Sequence, residues 1–119
     1  MKHKELFKEF ELDEGETFSL SISNSIGKSV ELHFGHRYKY PKKVWSGLHF
    51  FRDTQFGIFF WHNELSHWLI AHEIFHATVR IMQRRGLYYI AKHESHAELC
   101  GCLTKKVYRA LNEWGIQPK

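Results

Sequence analysis

The sequence predicts an α+β fold of one domain over residues 1–119, in which three or four antiparallel strands precede two helices. Three observations predict it. The first half alternates apolar and polar residues with a period of two, the period of a half-buried strand. From Leu65 onward the apolar residues recur at three and four, the period of a helix face. Residues of turn type separate the segments.

The strands come first. Residues 2–12 carry Leu6, Phe7 and Phe10 among charges and form a lead-in, helix or strand. Thr17 to Ser23 places Phe18, Leu20 and Ile22 opposite Ser19, Ser21 and Ser23, a clean alternation. Asn24 to Lys28, with Gly27, reads as a turn. Ser29 to His36 alternates again through Val30, Leu32 and Phe34, so a hairpin with the preceding strand is the expected join. Pro41 interrupts the pattern. Val44 to Phe51 is the third strand, Arg52 to Gln55 a polar turn, and Phe56 to Trp61 a fourth strand, apolar enough to be covered on both faces.

The helices follow. Leu65, Trp68, Leu69, His72, Phe75, His76 and Val79 define a helix over about 65–84, with Asn63 or a neighbour as its N-cap and Gly86 ending it. Ile70, Ile74 and Ile81 fill its other side, so it is expected at the centre of the domain. Leu87 to Ala91 is short and β-prone, a segment that also suits a loop. A second helix spans about 93–114 and stops at Gly115, with Pro118 beyond.

Composition bounds the partners. The chain is 43% hydrophobic and 16% aromatic, enough for a packed core and unlike a disordered tail. Its net charge of +4 is spread over short groups, among them Arg37 to Lys43 and Lys105 to Arg109. Solvated faces account for such groups, and no zinc-finger cysteine spacing or glycine-rich nucleotide loop supports a nucleic-acid partner. Cys100 and Cys102 are too few for a disulfide scaffold, and on a helix they point about 200° apart. Reduced cysteines, with no apolar secretion-signal core near the start, favour a cytoplasmic setting. The greasy run Ile58 to Trp61 is far too short to span a membrane.

The chemistry sits in His72-Glu73-Ile74-Phe75-His76, an HExxH motif. Residues four apart on a helix project about 40° apart, one turn along, so two imidazoles can converge on one ion. Glu73, about 100° from His72, stands where a carboxylate can take a proton from a metal-activated water. Two imidazoles and a carboxylate inside an apolar helix are costly unless paired or ligating. The bland alternative is two packed histidines and a salt-bridging glutamate.

A catalytic zinc takes three protein ligands and keeps one position open. The second helix offers Glu94 and Glu98, with His93 and His96 as further donors. Glu94 is the preferred third ligand, since Ala97 and Gly101 let the two helices pack closely near it. Glu98, one turn on, then steadies a ligand imidazole or stands solvated. Iron, cobalt and manganese suit the same side chains, with zinc the first choice for two imidazoles and a carboxylate. A hydrolase also needs a donor for the tetrahedral oxyanion, for which Tyr88, Tyr89 and His96 are the candidates.

His72 to Ala77, then Gly86, then Glu94-Ser-His-Ala97 with Leu99 and Gly101, resembles the small metallopeptidases encoded by tailed phages and prophages. It is similar to the minimal gluzincin plan and, more distantly, to ImmA/IrrE peptidases. The likeness covers about residues 60–111. It departs from the ImmA pattern at Phe75, where glycine is usual, and in lacking a helix-turn-helix segment. The resemblance implies a zincin-like domain with a central HExxH helix and a C-terminal ligand helix. It implies Zn2+ held by His72, His76 and Glu94, and Glu73 as the general base. It implies amide hydrolysis of a peptide or protein substrate, of phage or host, lying along strand 44–51 or 56–61. A metal-stabilised phage structural or regulatory protein without turnover is the first alternative, and a nucleic-acid-binding module the second.

Overall fold

The computed structural model describes residues 2–35 and 46–119, with only the backbone of 89–91. Its elements are β1 (Glu5–Glu11), β2 (Thr17–Ser23), α1 (Ile26–Phe34), β3 (Gly47–Arg52), β4 (Gln55–Trp61), α2 (His67–Arg84) and α3 (Tyr89–Glu113). The α+β class holds. The expected Pro41 interruption, the start of the third strand at Val44 and the basic group Arg37 to Lys43 lie outside the described residues.

The sheet corrects the antiparallel expectation. Its four strands run in the order β1-β2-β4-β3, with β1 antiparallel to β2, β2 parallel to β4 and β3 antiparallel to β4. The physical reason lies in residues 26–34. Val30 and Phe34 satisfy an alternating pattern, but Ile26, Val30 and Phe34 also stand four apart, and all three are buried, while Leu32 between them is 58% exposed. The segment is a helix, not the second arm of a hairpin. The Ser25 side chain accepts a hydrogen bond from Lys28 N, and Gly35 ends the helix in the left-handed region at φ 64°. A helix after β2 carries the chain away from β2's edge, and β4 returns there in parallel. The lead-in over 2–12 resolves as strand β1, with Phe10 opposite Phe18.

The sheet has helices on both faces. Ile26, Val30 and Phe34 of α1 pack on Phe59, with Leu48, Phe50 and Trp61 around them. On the opposite face Phe18, Leu20, Ile22, Phe56, Ile58 and Phe60 meet Leu69, Ile70, Ile74, Ile81 and Leu103, Val107 and Leu111 of α2 and α3. Each such fully buried side chain contributes about 1.5–3 kcal/mol of transfer free energy. Alternate residues of one strand therefore serve different helices, which is why β4 is apolar on both faces.

Helix α2 begins where Ser66 Oγ accepts from Leu69 N at 3.1 Å, three residues after the expected Asn63. It ends at a left-handed Gly86 (φ 74°), with Gly86 N donating to Gln83 O and Leu87 N to Met82 O, the paired bonds of a Schellman stop. The helix is not enclosed all round: Trp68 and Phe75 are exposed, so one flank faces outward. Helix α3 starts earlier than expected, at Tyr89, and breaks at Lys92 (φ −136°, ψ 39°). No helix among the described residues is long and apolar enough to cross a membrane.

One buried ion pair fastens the β1–β2 turn to the end of α2. Arg85 Nε donates to Glu16 Oε2 at 2.6 Å and its second nitrogen to Oε1 at 2.8 Å, with the Glu16 side chain fully buried. The bonds from Arg85 hold the Glu16 carboxyl below its ordinary range. Replacing Glu16 by Gln leaves the guanidinium without its partner and should cost about 3 kcal/mol in urea denaturation at pH 7. Because the folded value is depressed, that stabilisation is present above the ordinary carboxyl range and fades as pH falls through the folded value. The gap between wild type and Glu16→Gln should accordingly narrow in acid; a gap independent of pH would assign the loss to packing instead.

Candidate metal centre on α2 and β3

The site is built by strand β3 lying against helix α2. On β3 the odd residues Gly47, His49 and Phe51 face α2, while Leu48 and Phe50 join the α1 side. Gly47 comes first and lies close in: a Cβ there would sit 3.1 Å from Leu69 Cδ1 and 3.3 Å from Glu73 Cγ. His49 comes next, its ring stacked on that of His76 with centroids 4.5 Å apart and 13° between planes. Phe51 lies under the Arg80 guanidinium, 4.8 Å from its carbon. Three alternate strand residues thus meet α2 at Leu69 and Glu73, then His76, then Arg80.

The motif histidines converge as their spacing requires. His72 Nε2 and His76 Nε2 stand 3.2 Å apart, with the rings at 80°. Two nitrogens bound to one tetrahedral zinc at ~2.0–2.1 Å are separated by roughly 3.3 Å, so the pair fits a shared ion. Trp68, one turn before His72, stacks on its ring at 5.0 Å. Glu73 is 3% exposed; its Oε1 lies 3.9 Å from His72 Nε2, and its Oε2 has no hydrogen-bond partner among the described residues. An orphaned buried carboxylate oxygen is costly, and a cation or a water is what satisfies it. His49, Glu73 and His76 each offer a ligand atom within 4.8 Å of the others.

The electrostatics suit a cation. Burial, then the charges of His76, Arg80 and His72, push His49 down to about 4. Burial also lowers His76, with His72 and Arg80 adding to it. Both imidazoles are therefore neutral at pH 7, the form that donates a lone pair to a metal. Burial raises the Glu73 carboxyl, opposed in part by His72.

Glu94 is exposed, two residues past the break at Lys92; like His72, it is outside the group that His49, Glu73 and His76 form. Glu98 borders a crevice of about 290 Å³ with Arg85, Met82 and Lys106. His96 is buried and its Nδ1 donates to Lys92 O at 3.0 Å. His93 is exposed. Of the oxyanion candidates, Tyr88 is 70% exposed, His96 is occupied as stated, and the Tyr89 side chain lies outside the described residues. His49 is the member that sequence reasoning passed over. Its one signal was parity: it shares a strand face with Gly47 and Phe51, and with Ile58 across the ladder.

Compared with known protein families, with curated proteins and with solved structures, the chain matches none.

The burial of Glu73 carries a stability consequence in protein stripped of metal by a chelator. A carboxyl with a raised folded pKa leaves the fold unpenalised in acid and penalised once pH rises above the ordinary carboxyl range. Glu73→Gln should therefore raise the melting temperature of the metal-free protein by a few degrees at pH 7 and have little effect near pH 3. A variant less stable than wild type at pH 7 would mean that the carboxylate is satisfied in the folded chain.

Proposed function

We propose that the chain is a zinc-dependent metallopeptidase of zincin-like type, hydrolysing an amide bond in a peptide or protein substrate. The observation that carries this reading is the pair of Nε2 atoms 3.2 Å apart beside a buried carboxylate with one oxygen unpartnered among the described residues. A bound zinc supplies a Lewis acid and makes water a better nucleophile near neutral pH. His72 and His76 hold it. Glu73 accepts the proton of the attacking water and passes it to the leaving amine, a role helped by the burial that raises its proton affinity. An extended substrate can pair with β3, an edge strand of the sheet among the described residues, but not with β4, which is enclosed between β2 and β3. The likeness to phage-encoded gluzincin-type peptidases supports the same reading, although the Glu94 it implies as third ligand is exposed. Free Cys100 and Cys102 support a cytoplasmic setting.

A second reading, a metal-stabilised protein without turnover, draws on one observation. Glu73 itself lies within ligating reach of His49 and His76. A carboxylate engaged as a ligand does not serve as a base.

Elemental analysis and a peptide-cleavage assay on the same preparations separate the two. The peptidase reading expects about one zinc per chain in wild type and its loss in His72→Ala and His76→Ala. It expects Glu73→Gln to keep the zinc while cleavage falls by about 10²–10⁴-fold. Loss of zinc from Glu73→Gln would favour the structural reading. Wild type that takes up no zinc when supplied with it would reject both, leaving His72 and His76 as a pair sharing an N–H···N hydrogen bond.

A further inference from the structure

We propose that His49, on the edge strand β3, is the third protein ligand of the metal centre, completing a three-imidazole site with His72 and His76. This rests on the centre proposed above and specifies how it is closed.

The need is set by coordination chemistry. A hydrolytic zinc takes three protein donors and leaves a fourth position for water. Helix α2 supplies two of them, because positions four apart on a helix face one ion and the next candidate along the same stripe, Arg80, is a cation. The third donor has to come from a neighbouring element. Strand β3 is in contact with α2 at this level, since Gly47 has no Cβ to hold it off Leu69 and Glu73. That contact brings His49 to His76, two strand residues beyond Gly47. The α3 donors are disposed otherwise: Glu94 is exposed past the break, Glu98 borders the crevice beside Arg85, and His96 holds Lys92 O.

The donor set is consistent with the chemistry. With three neutral imidazoles as ligands the ion keeps its full double charge, which favours ionisation of its water more than a site containing a carboxylate ligand. Glu73 is then left out of the ligand set and available as the base. The rings of His49 and His76 are stacked with nearly parallel planes, so their in-plane lone pairs converge on one ion only when His49 turns out of the stack about its Cα–Cβ and Cβ–Cγ bonds. His49 is half-buried and makes no hydrogen bond to a described residue, so no such bond opposes that turn.

The test titrates zinc against a competing chelating dye, using metal-free wild type, His49→Ala and Glu94→Ala. Circular dichroism of the metal-free proteins checks that each variant is folded. His49→Ala should bind zinc more weakly by more than the roughly 10–100-fold that loss of an outer-shell contact causes. Glu94→Ala should stay within about threefold of wild type. X-ray absorption on zinc-loaded wild type gives an answer that needs no variant, and should count three imidazoles. Zinc affinity unchanged in His49→Ala, or a spectrum of two imidazoles and a carboxylate with affinity lost in Glu94→Ala, would overturn the proposal while leaving the metal centre standing. Wild type that binds no zinc would remove the centre itself, and His49's role with it.

Discussion

The contact between β3 and α2 is the constraint on which the site depends. A strand places every second side chain on one face at a spacing of about 6.7 Å, while one helical turn rises about 5.4 Å. The two repeats are close enough that consecutive inward residues of β3 meet consecutive levels of α2. Gly47 sets the separation at Glu73, His49 reaches His76, and Phe51 covers Arg80. A larger residue at 47 would push against Leu69 and Glu73 and lift His49 away from the histidine pair. The α1 layer supports this arrangement from behind, because Leu48 and Phe50 are drawn to Phe59 and Phe34 on the opposite face. The strand is thus held by its even residues and presents its odd ones.

Burial and chemistry oppose each other at Glu73. The helix around it is stabilised by Leu69, Ile70, Ile74, Ala77 and Ile81, all buried against the sheet and α3. The same packing removes water from the carboxylate and leaves Oε2 without a partner among the described residues. An apolar residue would suit that position better for stability alone. The contrast with Glu16 is instructive. Both carboxylates are buried, but Glu16 receives two bonds from Arg85 and its proton affinity falls, whereas Glu73 is desolvated by burial, an effect that His72 only partly offsets, and its affinity rises. The opposite shifts come from their neighbours.

Much of this was legible from residue spacing. Helix α2, its HExxH pair and the stop at Gly86 follow from local pattern, and local hydrogen bonds realise them. The β3–β4 hairpin and strand β2 follow from alternation and turn chemistry in the same way. Segment 26–34 did not, since Val30 and Phe34 fit either period, and only the burial of Ile26 and the exposure of Leu32 separate them. That single ambiguity carried over into topology, because a strand there implies an antiparallel sheet and a helix permits the parallel β2–β4 pair. Within the candidate site the 72–76 pair is a local pattern, whereas any third donor depends on tertiary packing that spacing does not encode. Glu94 was favoured from its place on a helix expected to fold back, and the break at Lys92 alters what that helix presents. His49 lay in an ordinary-looking strand, and nothing in its immediate sequence tells which helix that strand will lie against.

The parallel pairing of β2 with β4 has a further consequence, in the order of assembly. The chain divides at that seam into two locally paired halves: the β1–β2 hairpin on one side, and β3, β4 and α2 on the other. His49, His72, Glu73 and His76 all lie in the second half, within the continuous stretch 47–84. Loops that close within one hairpin-and-helix unit lose little chain entropy, whereas joining β2 to β4 closes across α1 and all of β3. The residues of the centre therefore belong to a low-contact-order unit, and an ion binding them would fasten neighbours in the chain rather than clamp its distant ends together.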